Sequence, residues 1–134
     1  LIDPKALTDL RLLISFIDDQ VVLKIIFSGQ EQLRQLLKRS CHTDLVHRIT
    51  LSFCLKPLSK DQSSFYIDRR IKMAGGATNI FDAEAKDLIH DYTGGVPRQI
   101  NNIATACLIN AASRNLKTIG EPLVNETMNE FFLP

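Results

Sequence analysis

No run of apolar residues in this 134-residue chain approaches the ~20 that a membrane-spanning helix requires, so no candidate span is visible. Glycine and proline are scarce, at six and five residues, too few for a low-complexity or disordered chain. Charge of one sign is missing too. Sixteen Lys and Arg against fifteen Asp and Glu leave +1, so there is no global basic field to drive nucleic-acid binding through bulk charge. Cys41, Cys54 and Cys107 are odd in number and form no C-x-x-C pair, which predicts reduced thiols and a cytoplasmic home. The sequence opens on Leu1 with no basic-then-apolar leader, so the chain reads as a fragment or processed product. The absence that bears most on chemistry is G-x-x-x-x-G-K-[ST]: it occurs nowhere, and Gly75-Gly76-Ala77 lacks the lysine. G-x-S-x-G, H-E-x-x-H and paired catalytic carboxylates are missing as well. What is present, 45% hydrophobic and 23% charged, is the balance of one globular domain or two small subdomains.

The first helix is predicted after Asp3, an N-cap residue type, with Pro4 at the first helical position, where a missing N–H costs nothing. Leu7, Leu10, Ile14 and Ile17 recur as one buried stripe. Val21 to Phe27 is apolar apart from Lys24, and its β-branched character suits a strand buried on both faces of a parallel sheet. Gln30 to Leu37 reads as a short helix with Leu33, Leu36 and Leu37 inward. Leu51, Phe53 and Leu55 alternate with polar residues as a second strand stopped by Pro57. Beyond it only helices are predicted. Ser59 and Gln62 have capping-box spacing before a helix reaching about Ala74, and Asp82 caps another with Ala85, Leu88, Ile89 and Tyr92 on one face. Pro97 opens a third, striped by Ile100, Ile103, Ala104, Cys107, Leu108 and Ala111. Pro122 opens a fourth, with Val124, Met128 and Phe131 inward. The expected fold class is an α-rich α/β arrangement: a truncated parallel-sheet remnant over residues 1–57, then a four-helix subdomain over 58–134. A two-strand parallel sheet lacks cover for its faces and edges, so the N-terminal half should expose apolar surface and either self-associate or be locally disordered.

Three places are candidates for chemistry. In Gly94-Gly95-Val96-Pro97-Arg98-Gln99-Ile100-Asn101-Asn102, Arg98 falls opposite the buried stripe of its helix, near Asn102 and Thr105. There a planar, permanent cation stands beside a positive helix end, which suits phosphate; a solvated surface arginine is the competing reading. Arg48, ahead of the second strand, can project towards a neighbour and neutralise charge on a transferring phosphate in trans, or be an ordinary surface residue. Ser28 and Gln30, at the carboxyl end of the first strand, stand where α/β sheets bind ligands, and a plain strand-to-helix turn competes. Cys41, His42 and His47 lack the second paired set that zinc needs, so no metal site is expected. His90 reads as structural, and Arg69-Arg70 with Lys72 as a solvated basic face.

Read in order, these pieces resemble the C-terminal part of an AAA+ ATPase of the ExeA family, which spans secretion-pathway ATPases and ATP-binding proteins encoded beside transposases. The resemblance covers nearly the whole chain. It is carried by Leu1 to Arg11, Gly29-Gln30-Glu31-Gln32-Leu33-Arg34, Arg48-Ile49, Pro57-Leu58-Ser59 and Tyr66-Ile67-Asp68-Arg69-Arg70. Ile80-Phe81-Asp82-Ala83-Glu84-Ala85 and Gly94 to Asn102 complete it. The resemblance implies that Arg98 is the sensor 2 arginine reaching from a helical lid to the terminal phosphates of ATP. It likewise implies that Arg48 is the arginine finger acting on the next subunit's nucleotide, and that Gln30, or failing it Ser28, holds the sensor 1 place. The P-loop and the acidic Mg²⁺-binding Walker B box would lie upstream of Leu1. ATP and Mg²⁺ therefore belong to an intact parent ATP hydrolase, and the fragment alone should bind neither tightly nor be active. Implied partners are further copies of the chain in an oligomer and a transposase with DNA; the alternatives are secretion components or a non-enzymatic helical interaction module.

Overall fold

The computed structural model describes residues 3–16 and 23–131, which divide into two compact units, Leu1–Cys54 and Leu55–Pro134. Among the described residues all regular structure is helical, apart from one isolated β-bridge. No helix there is long and apolar enough to cross a membrane.

The N-terminal unit holds α1 (Pro4–Phe16), α2 (Glu31–Leu37), a 3₁₀ turn at Ser40–His42 and α3 (Thr43–His47). Asp3 caps α1 as its residue type suggests, its side chain accepting the Lys5 N–H at 2.9 Å. Leu7, Leu36 and Leu45 form a small core, with Ile14, Phe27 and Leu37 packed against it. Ile17 of the expected stripe lies outside the described residues. The 3₁₀ turn and α3 carry too short a pattern for a period to show; they are fixed by the Thr43 hydroxyl donating to the Ser40 carbonyl at 2.8 Å and by burial of Leu45.

Neither expected strand forms a ladder among the described residues, and the sheet remnant is absent there. Val21 and Val22 fall outside them, and residues 23–30 and 49–59 have neither helix nor strand. Leu51, Phe53 and Leu55 are each almost nine-tenths exposed, and Ile26 slightly more. The alternation is real, but a strand also needs a neighbouring strand to form a ladder, and no such ladder occurs among the described residues. The expected exposure of apolar surface follows directly.

The C-terminal unit contains α4 (Lys60–Met73), α5 (Ala83–Thr93), α6 (Pro97–Ser113) and α7 (Glu121–Phe131). Its punctuation matches the sequence closely. Ser59 and Gln62 form a reciprocal capping box, and the Asp82 carboxylate accepts the Ala85 N–H at 2.7 Å. The helices α5 and α6 each pack against the other three. Phe81, Ala85, Ile89, Ile100, Ile103, Cys107, Ile119 and Val124 fill the space between them. Two predicted stripe members sit at its edge instead: Tyr92 and Leu108 are more than a third exposed. Tyr92 keeps its ring at the surface because its hydroxyl donates to Asn125 Oδ1 at 2.9 Å. Polar groups that enter the core are paired. Asn110 donates to the Thr127 hydroxyl, which in turn donates to the Leu123 carbonyl. The bridge between Phe81 and Ile119 ties the α4–α5 connection to the α6–α7 connection, with Ile119 N–H donating to the Ile80 carbonyl at 2.7 Å.

The turn between α5 and α6 is the tightest feature. Gly94 and Gly95 both have positive φ, +55° and +76°. The Gly95 carbonyl accepts the Leu58 N–H at 2.9 Å, and a Cβ on Gly95 would lie 2.0 Å from the Leu58 carbonyl oxygen. A Cβ on Gly94 would meet nothing within 4 Å. Replacing Gly94 by Ala should therefore cost only the left-handed backbone penalty, about 1–2 kcal/mol. Gly95→Ala should cost about 1–3 kcal/mol beyond that, since the Leu58 backbone must move. Urea unfolding of the two variants measures the difference; equal losses would contradict it.

Cys107 is wholly buried, and burial raises its thiol pKa above the ordinary value, while Cys41 and Cys54 are exposed. In native protein a thiol reagent should modify Cys41 rapidly and Cys107 only on unfolding. Because the unfolded thiol ionises first, Cys107 should lower stability as pH rises above the ordinary thiol range. Equal native labelling of Cys41 and Cys107, followed by mass spectrometry, would contradict the burial.

Candidate functional site

The α5–α6 turn delivers Arg98. Thr93 ends α5 by donating its hydroxyl to the Ile89 carbonyl at 2.7 Å and accepting the Gly95 N–H at 3.3 Å. Gly94 then takes the left-handed conformation, Gly95 bonds to Leu58, and Pro97 starts α6. Arg98 is consequently the second residue of a 17-residue helix whose inner face is fixed by Ile100 and Ile103. It is exposed, and its guanidinium has no hydrogen-bond or ion-pair partner among the described residues.

The start of α6 differs from those of α4 and α5. Its N-cap residue, Val96, offers no side-chain acceptor, and no acidic residue occupies the first turn. The Arg98 and Gln99 N–H groups and the Arg98 side chain thus stand at one helix end with no carboxylate to neutralise them. An anion meets there both the helix dipole and a bidentate cation. Behind this end, the Asn101 amide hydrogen-bonds to the Tyr66 hydroxyl (3.0 Å from Nδ2), linking α6 to α4. A groove of about 240 Å³ between the two helices is lined by Tyr66, Arg70, Asn101 and Thr105 over a floor of Ile67, Phe81 and Ile100. The Tyr66–Asn101 pair was not legible in advance, because the two residues lie 35 positions apart and each is polar on its own helix.

The other candidates lie in the N-terminal unit. Gln30 is the N-cap residue of α2, exposed, with no side-chain cap bond. Ser28 is exposed two residues earlier. Arg48 closes α3 rather than opening a strand: its N–H donates to the Leu45 carbonyl at 3.1 Å, and its side chain is exposed. His42 is buried while Cys41 and His47 are exposed, and among the described residues no three His, Cys, Asp or Glu side chains converge. His90 is held by Ser63, with Nδ1 2.9 Å from the buried hydroxyl, a structural link between α4 and α5.

Over 112 residues, 83% of its length, the chain is 36% identical to general secretion pathway protein A of Aeromonas hydrophila. Most of the chain thus matches one segment of an ExeA-type protein. The chain spans about a fifth (20%) of that relative's length. No family model matches the chain, and no solved structure gives a significant match. Because Arg98 is exposed and has no partner among the described residues, its side chain should contribute little to folding. Arg98→Ala should leave stability within about 0.5 kcal/mol of the parent, whereas Tyr66→Phe should lose about 1 kcal/mol by stranding Asn101. Thermal unfolding distinguishes them. A large loss from Arg98→Ala would show a structural partner for the guanidinium and remove it as a ligand-facing group.

Proposed function

We propose that the chain is part of an AAA+ ATPase of the ExeA family, in which the helices of residues 58–134 form the lid over a nucleotide held elsewhere. The observation that carries this reading is the unpartnered Arg98 at the uncapped, acid-free start of α6. In this role Arg98 is the sensor 2 residue: its fork donates two hydrogen bonds to the terminal phosphates and moves the lid when the phosphate leaves. Arg48 acts as the finger on the ATP of a neighbouring copy, and Gln30 orients the attacking water or the γ-phosphate, with Ser28 as the substitute. ATP and Mg²⁺ are bound by a P-loop and an acidic box that these 134 residues do not contain. When bound, Mg²⁺ neutralises charge on the transferring phosphoryl group; the residues of this chain supply cations and positioning around it.

The coupling partner is where two readings divide. Similarity to a protein named for the general secretion pathway favours secretion components as the machinery that the ATPase regulates. Regulation of a transposase or of DNA has no comparable support, and the near-neutral charge gives it none. A cytoplasmic, homo-oligomeric protein fits the finger role, since Arg48 acts only from one copy on the next.

The test is ATP hydrolysis. The 134-residue chain by itself should show no metal-dependent turnover. In a longer protein that carries the P-loop, Arg98→Ala should lower kcat by about 10²–10³-fold, in the range found when one preorganised charge-stabilising donor is removed. Arg48→Ala should be equally damaging, yet subunits carrying it should be rescued when mixed with copies that keep Arg48 and lack a working P-loop. Unchanged turnover by the Arg98→Ala variant, with folding intact, would instead support the non-enzymatic docking module.

A further inference from the structure

One face of α4 lies outside everything assigned above. Phe65, Arg69, Lys72 and Met73 recur at i, i+4, i+7 and i+8, the spacing of one helical stripe. With Asp68 and Thr78 they line a groove of about 630 Å³. Its apolar ends are bare: Phe65 is 65% exposed and Met73 72%. Asp68 contributes no free negative charge, because its carboxylate lies 2.6 Å from the nearly buried Lys86 ammonium. Arg69 and Lys72 are exposed and have no acidic partner among the described residues. The face therefore presents two cations between two apolar anchors.

The chemistry of an occupant follows from that order. Eight residues of helix separate the anchors by about 12 Å, close to two turns of a partner helix laid alongside. Such a helix places apolar side chains at i and i+7 against Phe65 and Met73, and a side chain midway between them against Arg69 and Lys72. Charge complementarity makes that middle side chain Glu or Asp. A nucleic acid also seeks cations, but one aromatic platform stacks a single base, and Met73 would then face phosphate. We propose that this face of α4 docks an acidic amphipathic helix from a partner protein.

The probe is a synthetic helical peptide with Leu at i and i+7 and Glu at i+3 and i+4, titrated against the 134-residue chain by fluorescence anisotropy. The control has the same composition with Leu and Glu on opposite faces. The patterned peptide should bind, weaken with salt, and lose about tenfold or more in affinity with Phe65→Ala, Met73→Ala or Arg69→Glu/Lys72→Glu. All three changes are at exposed positions, and circular dichroism should confirm that each variant is folded; Met73→Ala carries the test if another is not. Equal binding of both peptides, no binding up to millimolar peptide, or tighter Phe65-dependent binding of a thymidine 15-mer would each overturn the proposal.

Discussion

The close approach of two backbones, at Leu58 and Gly95, holds the α5–α6 end of the helical unit in place. With one hydrogen bond and no room for a side chain, it fixes the α5–α6 turn to the segment that leads into α4. Everything proposed for Arg98 depends on it, because a guanidinium on a loosely hinged helix start offers little preorganisation to a phosphate. Thr93 and the two positive-φ glycines complete the turn, and Pro97 sets the helix direction from its first residue. Rigid support and an unpaired cation are thus adjacent.

The contrast between the helix starts has the same logic. Ser59 and Asp82 satisfy the first N–H groups of α4 and α5 from within the chain, which contributes stability and leaves nothing for a ligand. At α6 the valine N-cap forgoes that gain, on the order of 1 kcal/mol. In the proposed role, a helix end left electrically open beside a free arginine exchanges stability for binding.

The C-terminal helices were largely legible in the sequence because their signals are local. A capping serine, a capping aspartate, paired glycines and a proline each act within a few residues of the boundary they set. The exposed position of Arg98 followed from the wheel for the same reason. What failed to show was whatever depends on distant or missing partners. The alternation at Leu51, Phe53 and Leu55 has the period of a strand, but pairing needs a neighbour that the sequence pattern cannot supply. The short α3, which moved Arg48 from a strand start to a helix end, is below the length at which helical period can be read. Tyr66 with Asn101 and Lys86 with Asp68 join different helices, and only packing brings them together.

The most direct measurement is a structure of a longer protein containing this segment, solved with a non-hydrolysable ATP analogue and Mg²⁺. The Arg98 guanidinium should then stand at charge-assisted hydrogen-bond distance, about 2.7–2.9 Å, from oxygens of the terminal phosphates. An Arg98 side chain turned to solvent, with the nucleotide fully bound and the α5–α6 turn unchanged, would contradict it.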